Sequence, residues 1–277
     1  MQIRDYSLPA GWFPRDSQSV SAFLKEYKAK AGEKGRAAVS PHAGWYYSGR
    51  IAALGVASLQ PDADTIIVLG GHLGAGSPPV FAMEDAVRTP FGHLPIDIKL
   101  RNSLVRELDG KEDIYRDNTI EVLLPMVHYF FPDSKLLWLR LPSDMKSFTA
   151  GKIISQIASE LKCRVNVLAS TDLTHYGKNY GFSPCGRVKN DEALKWMRDV
   201  NDALFIKAVE SQDSASVLRR AEYEQAACSA GAVLGAMGFA EEEGLGSASL
   251  LEYGTSADAE HDVPDSFVGY AALSWLE

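Results

Sequence analysis

The chain has 277 residues, 46% of them hydrophobic and 23% charged, with a formal net charge of −8. A core of that size holds without disulfides or a structural metal, and the acidic balance excludes nucleic acid and an anionic membrane surface as partners, since both ask for a basic face. The three cysteines (Cys163, Cys185 and Cys228) lie far apart with no CxxC pair, which excludes a disulfide framework and a zinc ribbon.

A reducing, cytoplasmic setting is therefore expected. The N-terminal MQIRDYSLPAGWFPRD has no apolar signal core, and no apolar run approaches the ~18 residues of a membrane span. Residues 1–277 show no repeat, low-complexity tract or long linker, so one domain is expected.

In chain order, short β-rich runs alternate with helical patterns. RAAVS at 36–40 predicts a strand and 48–59 a helix; TIIVL at 65–69 predicts a second strand, entering the loop GGHLGAGSPP. Residues 80–82 and 86–89 flank an expected hairpin, with FGHLPID following as loop and turn. Helices are expected over 97–108 and 121–131, where Pro125 either kinks the second or lies in its first turn. KLLWLRL at 135–141 and RVNVLA at 164–169 read as buried strands around a helix at 147–161. Helices over 187–210, 215–221 and 228–240 and strands over 248–253 and 267–273 complete the pattern. The fold class is α/β, with a mostly parallel or mixed central sheet flanked by helices.

Open α/β sheets bind ligands outside the carboxyl ends of their strands. His42 follows RAAVSP, His72 follows TIIVLGG, and Asp172 and His175 follow RVNVLAST, so three strands deliver imidazole or carboxylate groups to one edge. Taken singly, each is as readily a hydrogen-bonding strand-end residue, and Asp172 as readily a turn cap; the coincidence of three strand ends points to a site. His93, His128 and His261 fit this pattern less well. Cys228 stands at the expected start of a helix, where the dipole favours thiolate, and a thiolate serves as either a nucleophile or a soft metal ligand. GGHLGAGS fits neither a P-loop nor a dinucleotide fingerprint; its glycines instead allow close backbone approach.

Several motifs resemble those of the Memo family, component B of the AmmeMemoRadiSam system. PHAGWYYSG (41–49) resembles PHAGYxYSG, and STDLTHY (170–176) resembles SSDLSHY. TPFGHLPID, IEVLLP, YGTSAD and VGYAAL are similar to further family motifs, in order from about residue 41 onward. Three departures stand out: the loop before His72 is one residue shorter, Asn118 replaces a histidine, and CSAG replaces CGxG at 228–231.

The resemblance implies a fold like that of the class III extradiol ring-cleaving dioxygenases. It further implies a metal held by His42, His72 and Cys228, with His175 as acid/base and Asp172 beside it. Iron(II) is the favoured ion, with copper or zinc as alternatives once thiolate replaces a carboxylate. The implied activity is a metal-dependent oxidoreductase acting on a small aromatic or oxygen-bearing molecule. The alternative is a non-catalytic scaffold that recognises a peptide or partner protein, with Trp45, Tyr46 and Tyr47 either stacking the ligand or packing the helix start. Radical-SAM and AMMECR-type proteins are the partners that the system's name implies. A third reading makes Cys228 a nucleophile with His175 as its base and Asp172 as orienter.

Overall fold

The side chains along each central strand alternate between two apolar layers, and that alternation organises the structure. The computed structural model describes residues 1–30 and 33–276. Four strands run parallel in the order Gly35–Ser40, Val165–Ser170, Thr65–Leu73 and Lys135–Pro142. Ala37, Val39, Ile67, Leu69, Leu137 and Leu139 face one side, against the helices Lys146–Glu160, Ala203–Glu210 and Ala230–Glu242. Ala38, Ile66, Val68, Leu136 and Trp138 face the other, against Ser17–Lys30, Trp45–Ala57 and Leu124–Phe130. The period of two and burial on both faces account for the near-continuous apolar runs of these strands.

The sheet is mixed. Ser266–Leu276 pairs antiparallel with Gly35–Ser40, and the strands Ser249–Thr255 and His175–Gly177 pair antiparallel with it in turn. At the far edge, Val80–Phe81 pairs antiparallel with Lys135–Pro142. A small second sheet joins Ile3–Arg4, Ala86–Thr89 and Gly92–Pro95.

Several expectations are corrected. Residues 80–82 and 86–89 do not flank a hairpin; the hairpin joins Ala86–Thr89 to Gly92–Pro95, inside the stretch expected to be loop. Pro90 and Phe91 form its tip, Gly92 takes a φ of 109°, and the Phe91 N–H donates to Thr89 Oγ1 at 3.2 Å. The helix expected over 121–131 is two short ones, Asn118–Glu121 and Leu124–Phe130, and Pro125 lies in the first turn of the second. The helix expected from 187 begins at Asn190 and widens into a π turn over Met197–Asp202 before continuing. The last helix starts at Ala230, with Ser229 as its N-cap residue, so Cys228 lies in the preceding loop.

Candidate metal centre

Because the four central strands are parallel, their carboxyl ends share one edge, and the chain leaves three of them with a metal-competent group. His42 stands two residues beyond Gly35–Ser40, and Asp172 two residues beyond Val165–Ser170. His72 belongs to Thr65–Leu73 itself, where the pairing with Lys135–Pro142 shifts register between Gly70 and Leu73. This irregularity, with a φ of 59° at His72, re-aims the imidazole at the site. Gly70 and Gly71 make the approach possible: a Cβ on Gly71 would stand 2.3 Å from Ser229 Cβ, and one on Gly70 2.4 Å from Thr119 Oγ1. The sequence-level reading of these glycines as close-approach positions holds.

Cys228 enters from the loop between the helices Ser214–Glu224 and Ala230–Glu242. The loop is tied to the strand end: the Cys228 N–H donates to the Asp172 carbonyl at 3.2 Å, and the Ser229 N–H to Thr171 Oγ1 at 3.1 Å.

One donor atom from each of His42, His72 and Cys228 lies within 4.8 Å of the others. Cys228 Sγ is 3.3 Å from His42 Nε2, the separation expected of two ligands on one ion with metal–N and metal–S bonds of about 2.0 and 2.3 Å. The two imidazoles meet edge to face, with centroids 5.1 Å apart. Each has its Nδ1 engaged on the outer side: His42 with Ser170 Oγ at 2.9 Å, and His72 donating to the Asp117 carboxylate at 2.9 Å. Both Nε2 atoms are thereby left as the free donors. Two imidazoles and a thiolate suit a soft or borderline ion, so the donor set fits the expected metal.

The electrostatics favour thiolate. Burial alone would push the Cys228 thiol up, yet His42 and His72 beside it hold it well below its ordinary value. Burial lowers the basicity of His72, but its hydrogen bond to Asp117 and the neighbouring thiolate reverse this and push it up to about 10. His42 is fully buried and is likewise raised, by Asp172 and Cys228 acting against desolvation. Cys228 directly precedes the N-cap of the last helix, and the two histidines beside it lower the pKa of its thiol.

A family model described as Memo-like protein matches residues 4–274. The chain belongs to the Memo-like family. The MEMO1 family protein PF1638 of Pyrococcus furiosus is 29% identical, over 95% of this chain and 96% of that protein. A MEMO1 family protein of Methanococcoides burtonii is 32% identical, over 85% and 84%. The crystal structure of the uncharacterized protein JW3007 from Escherichia coli K12 is similar in fold, with a TM-score of 0.51 at 13% identity, covering 86% of this chain and 99% of that one.

In this Memo-like chain, sequence reasoning missed the group that orients His72. Asp117 accepts from His72, and its Oδ2 is also 3.3 Å from Arg140 Nη2; Arg140 Nη1 reaches Asp113 Oδ1 at 3.1 Å. Burial works against ionisation of Asp117, but the hydrogen bonds from His72 and Thr119 and the charge of Arg140 hold its carboxyl far below the usual range. Removing such a support typically costs a metal site about 10–100-fold in affinity. Asp117→Ala is therefore expected to weaken metal binding by about that factor without unfolding the protein, as read by competition with a chromogenic chelator. Unchanged affinity would show that Asp117 does not position His72.

Asp172 lies near His175 and also braces the metal-site loop. Its Oδ1 accepts from the His42 N–H at 2.7 Å, so it fixes the loop that carries His42. The ring of His175 is instead set by Nδ1–H donating to the Leu173 carbonyl at 3.1 Å and by an edge contact with Tyr180 at 4.9 Å. Asp172 and His175 line a common cavity of about 750 Å³, together with Asn118, Tyr46 and Tyr47. Asn118 Nδ2 donates to the His42 carbonyl at 3.1 Å, so the residue replacing the family's histidine still braces the site. Trp45, expected as a stacking residue as much as a packing one, is instead buried, with Nε1–H donating to the Val122 carbonyl at 2.9 Å, and does not line this cavity. Cys228 has His42, His72, Thr171 and Ser229 as polar neighbours, and no hydrogen bond joins it to His175 among the described residues.

Beneath His175 a second buried carboxyl is exposed to pH. Asp202, on the π turn, accepts from Thr174 N–H and Oγ1–H and from the Tyr253 hydroxyl, and burial raises its pKa to about 7. The folded state therefore holds a proton that the unfolded chain releases near its ordinary value of 3.8, and stability falls as pH rises from about 4 to about 7. Asp202→Asn is expected to flatten that decline and to raise the urea midpoint at pH 8 relative to wild type. Parallel pH profiles for the two proteins would refute the assignment.

Proposed function

We propose that this Memo-like protein, as one domain over residues 1–277, binds a single divalent or redox metal ion through His42, His72 and Cys228, and acts as a dioxygenase-like oxidoreductase. The convergence of three donor atoms within 4.8 Å carries the reading. Iron(II) is the favoured ion, with copper or zinc as alternatives. Bound there, the ion would supply Lewis acidity and, if iron or copper, redox chemistry at positions that three protein ligands leave open.

The chain's own residues would supply the rest. His42 and His72 present Nε2 because their Nδ1 atoms are held by Ser170 and Asp117. His175, with Nδ1–H bound to the Leu173 carbonyl, has Nε2 free to take or give a proton to a molecule in the cavity. Asp172 would hold the His42 loop in register and close the inner wall. The substrate class is a small aromatic or other oxygen-bearing molecule, and the fold would be that of the class III extradiol dioxygenases.

Anaerobic metal analysis of tag-free wild type against His42→Ala and His72→Ala tests the ligand set. Near-stoichiometric metal lost from both variants supports it and justifies screening catechols for oxygen uptake; variants that retain full metal refute it. A second reading draws on Tyr46 and Tyr47, which are 70% and 45% exposed at the cavity mouth: a scaffold that docks a peptide or a radical-SAM or AMMECR-type partner. Wild type that takes up no iron, copper or zinc would favour it.

A further inference from the structure

The cavity lined by Asp172, His175 and Asn118, which His42, His72 and Cys228 do not themselves line, has an unusual balance of groups. Its aromatic lining comprises Trp12, Tyr46, Tyr47, Tyr180 and Tyr270, from four separate stretches of chain. Its ionisable lining comprises Asp172, Glu260 and His175, with no lysine or arginine among the described residues. The nearby cations are engaged elsewhere, Lys178 with Asp265 and Arg198 with Asp258. Glu260, at the rim, has no ion pair among the described residues and stands in the acidic stretch SADAEHDVPD. Tyr270 is 2% exposed and forms the floor, while Tyr46 and Tyr47 meet edge to face at 4.9 Å at the mouth. The Tyr46 hydroxyl donates to the Ala259 carbonyl at 3.3 Å, so that donor is already taken.

From this balance we infer that the cavity binds its small-molecule ligand through a cationic amine. Aromatic faces carry negative potential, and an ammonium held against several of them gains on each. The Glu260 carboxylate at the rim adds to that field, and the chain's net charge of −8 draws cations toward it. A carboxylate or phosphate would lose its hydration against the aromatic and acidic lining with no lysine or arginine there in compensation, and the Cys228 thiolate would offset part of the charge of a bound ion. A volume of about 750 Å³ accommodates an aromatic or alkyl body attached to the amine. The inference rests on the reading of this cavity as the ligand side of the metal centre, and it names the class of molecule that side accepts.

The test titrates 2-phenylethylamine, 2-phenylethanol and 3-phenylpropionate into wild type and into Cys228→Ser, by calorimetry or ligand-observed NMR at pH 7. The amine is expected to bind about tenfold or more tightly than either analogue, the factor a few desolvated cation–π contacts provide. Tyr180→Leu and Glu260→Gln should each erode that preference, while Tyr223→Leu, on a distant surface, should leave it unchanged. The preference should persist in Cys228→Ser, so a wild type that proves metal-free removes the oxidoreductase reading and leaves this comparison standing. Equal binding of the three probes, tighter binding of 3-phenylpropionate, or no amine binding to metal-loaded wild type overturns the inference.

Discussion

Cys228→Ser is expected to weaken zinc or copper binding by at least about a thousandfold, the largest effect of any single change at the centre. The thiolate is the only anionic donor of the three, and the hydroxyl that replaces it stays protonated at neutral pH. The site would lose a charge and its soft atom together, and the two imidazoles would face each other without the group that now offsets them. Cys228→Asp separates those losses. A carboxylate restores the charge but not the softness, which converts the donor set to two histidines and an acid, a set suited to iron(II). The expected order for iron is therefore wild type and Cys228→Asp well above Cys228→Ser, while for copper(I) both variants fall far below wild type. Anaerobic competition titrations with each metal read this directly. A Cys228→Ser protein with undiminished affinity for every metal would remove Cys228 from the ligand set. In wild type, affinity should also fall in acid, because binding requires deprotonated Cys228 and neutral imidazoles.

The parts of this centre differ in how far the sequence alone discloses them. His42, His72 and Asp172 are legible from a rule about parallel sheets: each follows a run of β-branched and aliphatic residues, and such runs end at a common edge. Cys228 carries no such mark, since it sits in a loop before a helix of small residues; its position at a helix start left nucleophile and ligand both open, and its role as a ligand rests mainly on the family resemblance. Asp117 and Arg140 are illegible for a physical reason. Asp117 meets His72 across 45 residues of sequence, and Arg140 meets Asp117 and the Gly71 carbonyl from the adjacent strand, an alignment that sequence periodicity does not encode. The misplaced features are short. The N-cap role of Ser229 displaced Cys228 from the last helix, and a six-residue π turn inside a helical stretch is too short to alter its apolar period. The hairpin at Pro90 and Phe91 went unseen because its strands have four residues each, fewer than alternation needs to stand out.

The small residues of the last helix lead to the second large effect, on the fold itself. Gly151→Leu is expected to cost about 4 kcal/mol or more, enough to leave the protein largely unfolded or insoluble. The helices Lys146–Glu160 and Ala230–Glu242 pack with backbone against backbone: a Cβ on Gly151 would stand 1.9 Å from the Gly235 carbonyl oxygen and 2.7 Å from the Phe239 nitrogen. On the other side of the contact, a Cβ on Gly238 would meet the Phe148 carbonyl oxygen at 1.9 Å. Backbone atoms inside two regular helices have no alternative rotamer, so the helices themselves must separate, opening voids beside Leu234 and Phe239, which are fully buried. Gly151→Ala distinguishes this steric account from helix propensity. Alanine favours a helix over glycine by about 1 kcal/mol, so propensity alone predicts stabilisation, whereas the contact distances predict a loss of about 2 kcal/mol. Gly246→Ala, where an added Cβ meets nothing within 4 Å, serves as the neutral control. The consequence extends to the metal centre, because Ala230–Glu242 begins two residues after Cys228 and its Gly231 lies against the Pro142 carbonyl at the same sheet edge. A Gly151→Ala protein that still folds should therefore bind metal more weakly than wild type, although residue 151 lies on a helix that adjoins none of the ligands. Urea denaturation and metal titration on the same preparation check both halves, and a stabilised variant with unchanged metal affinity would refute the close-packing account.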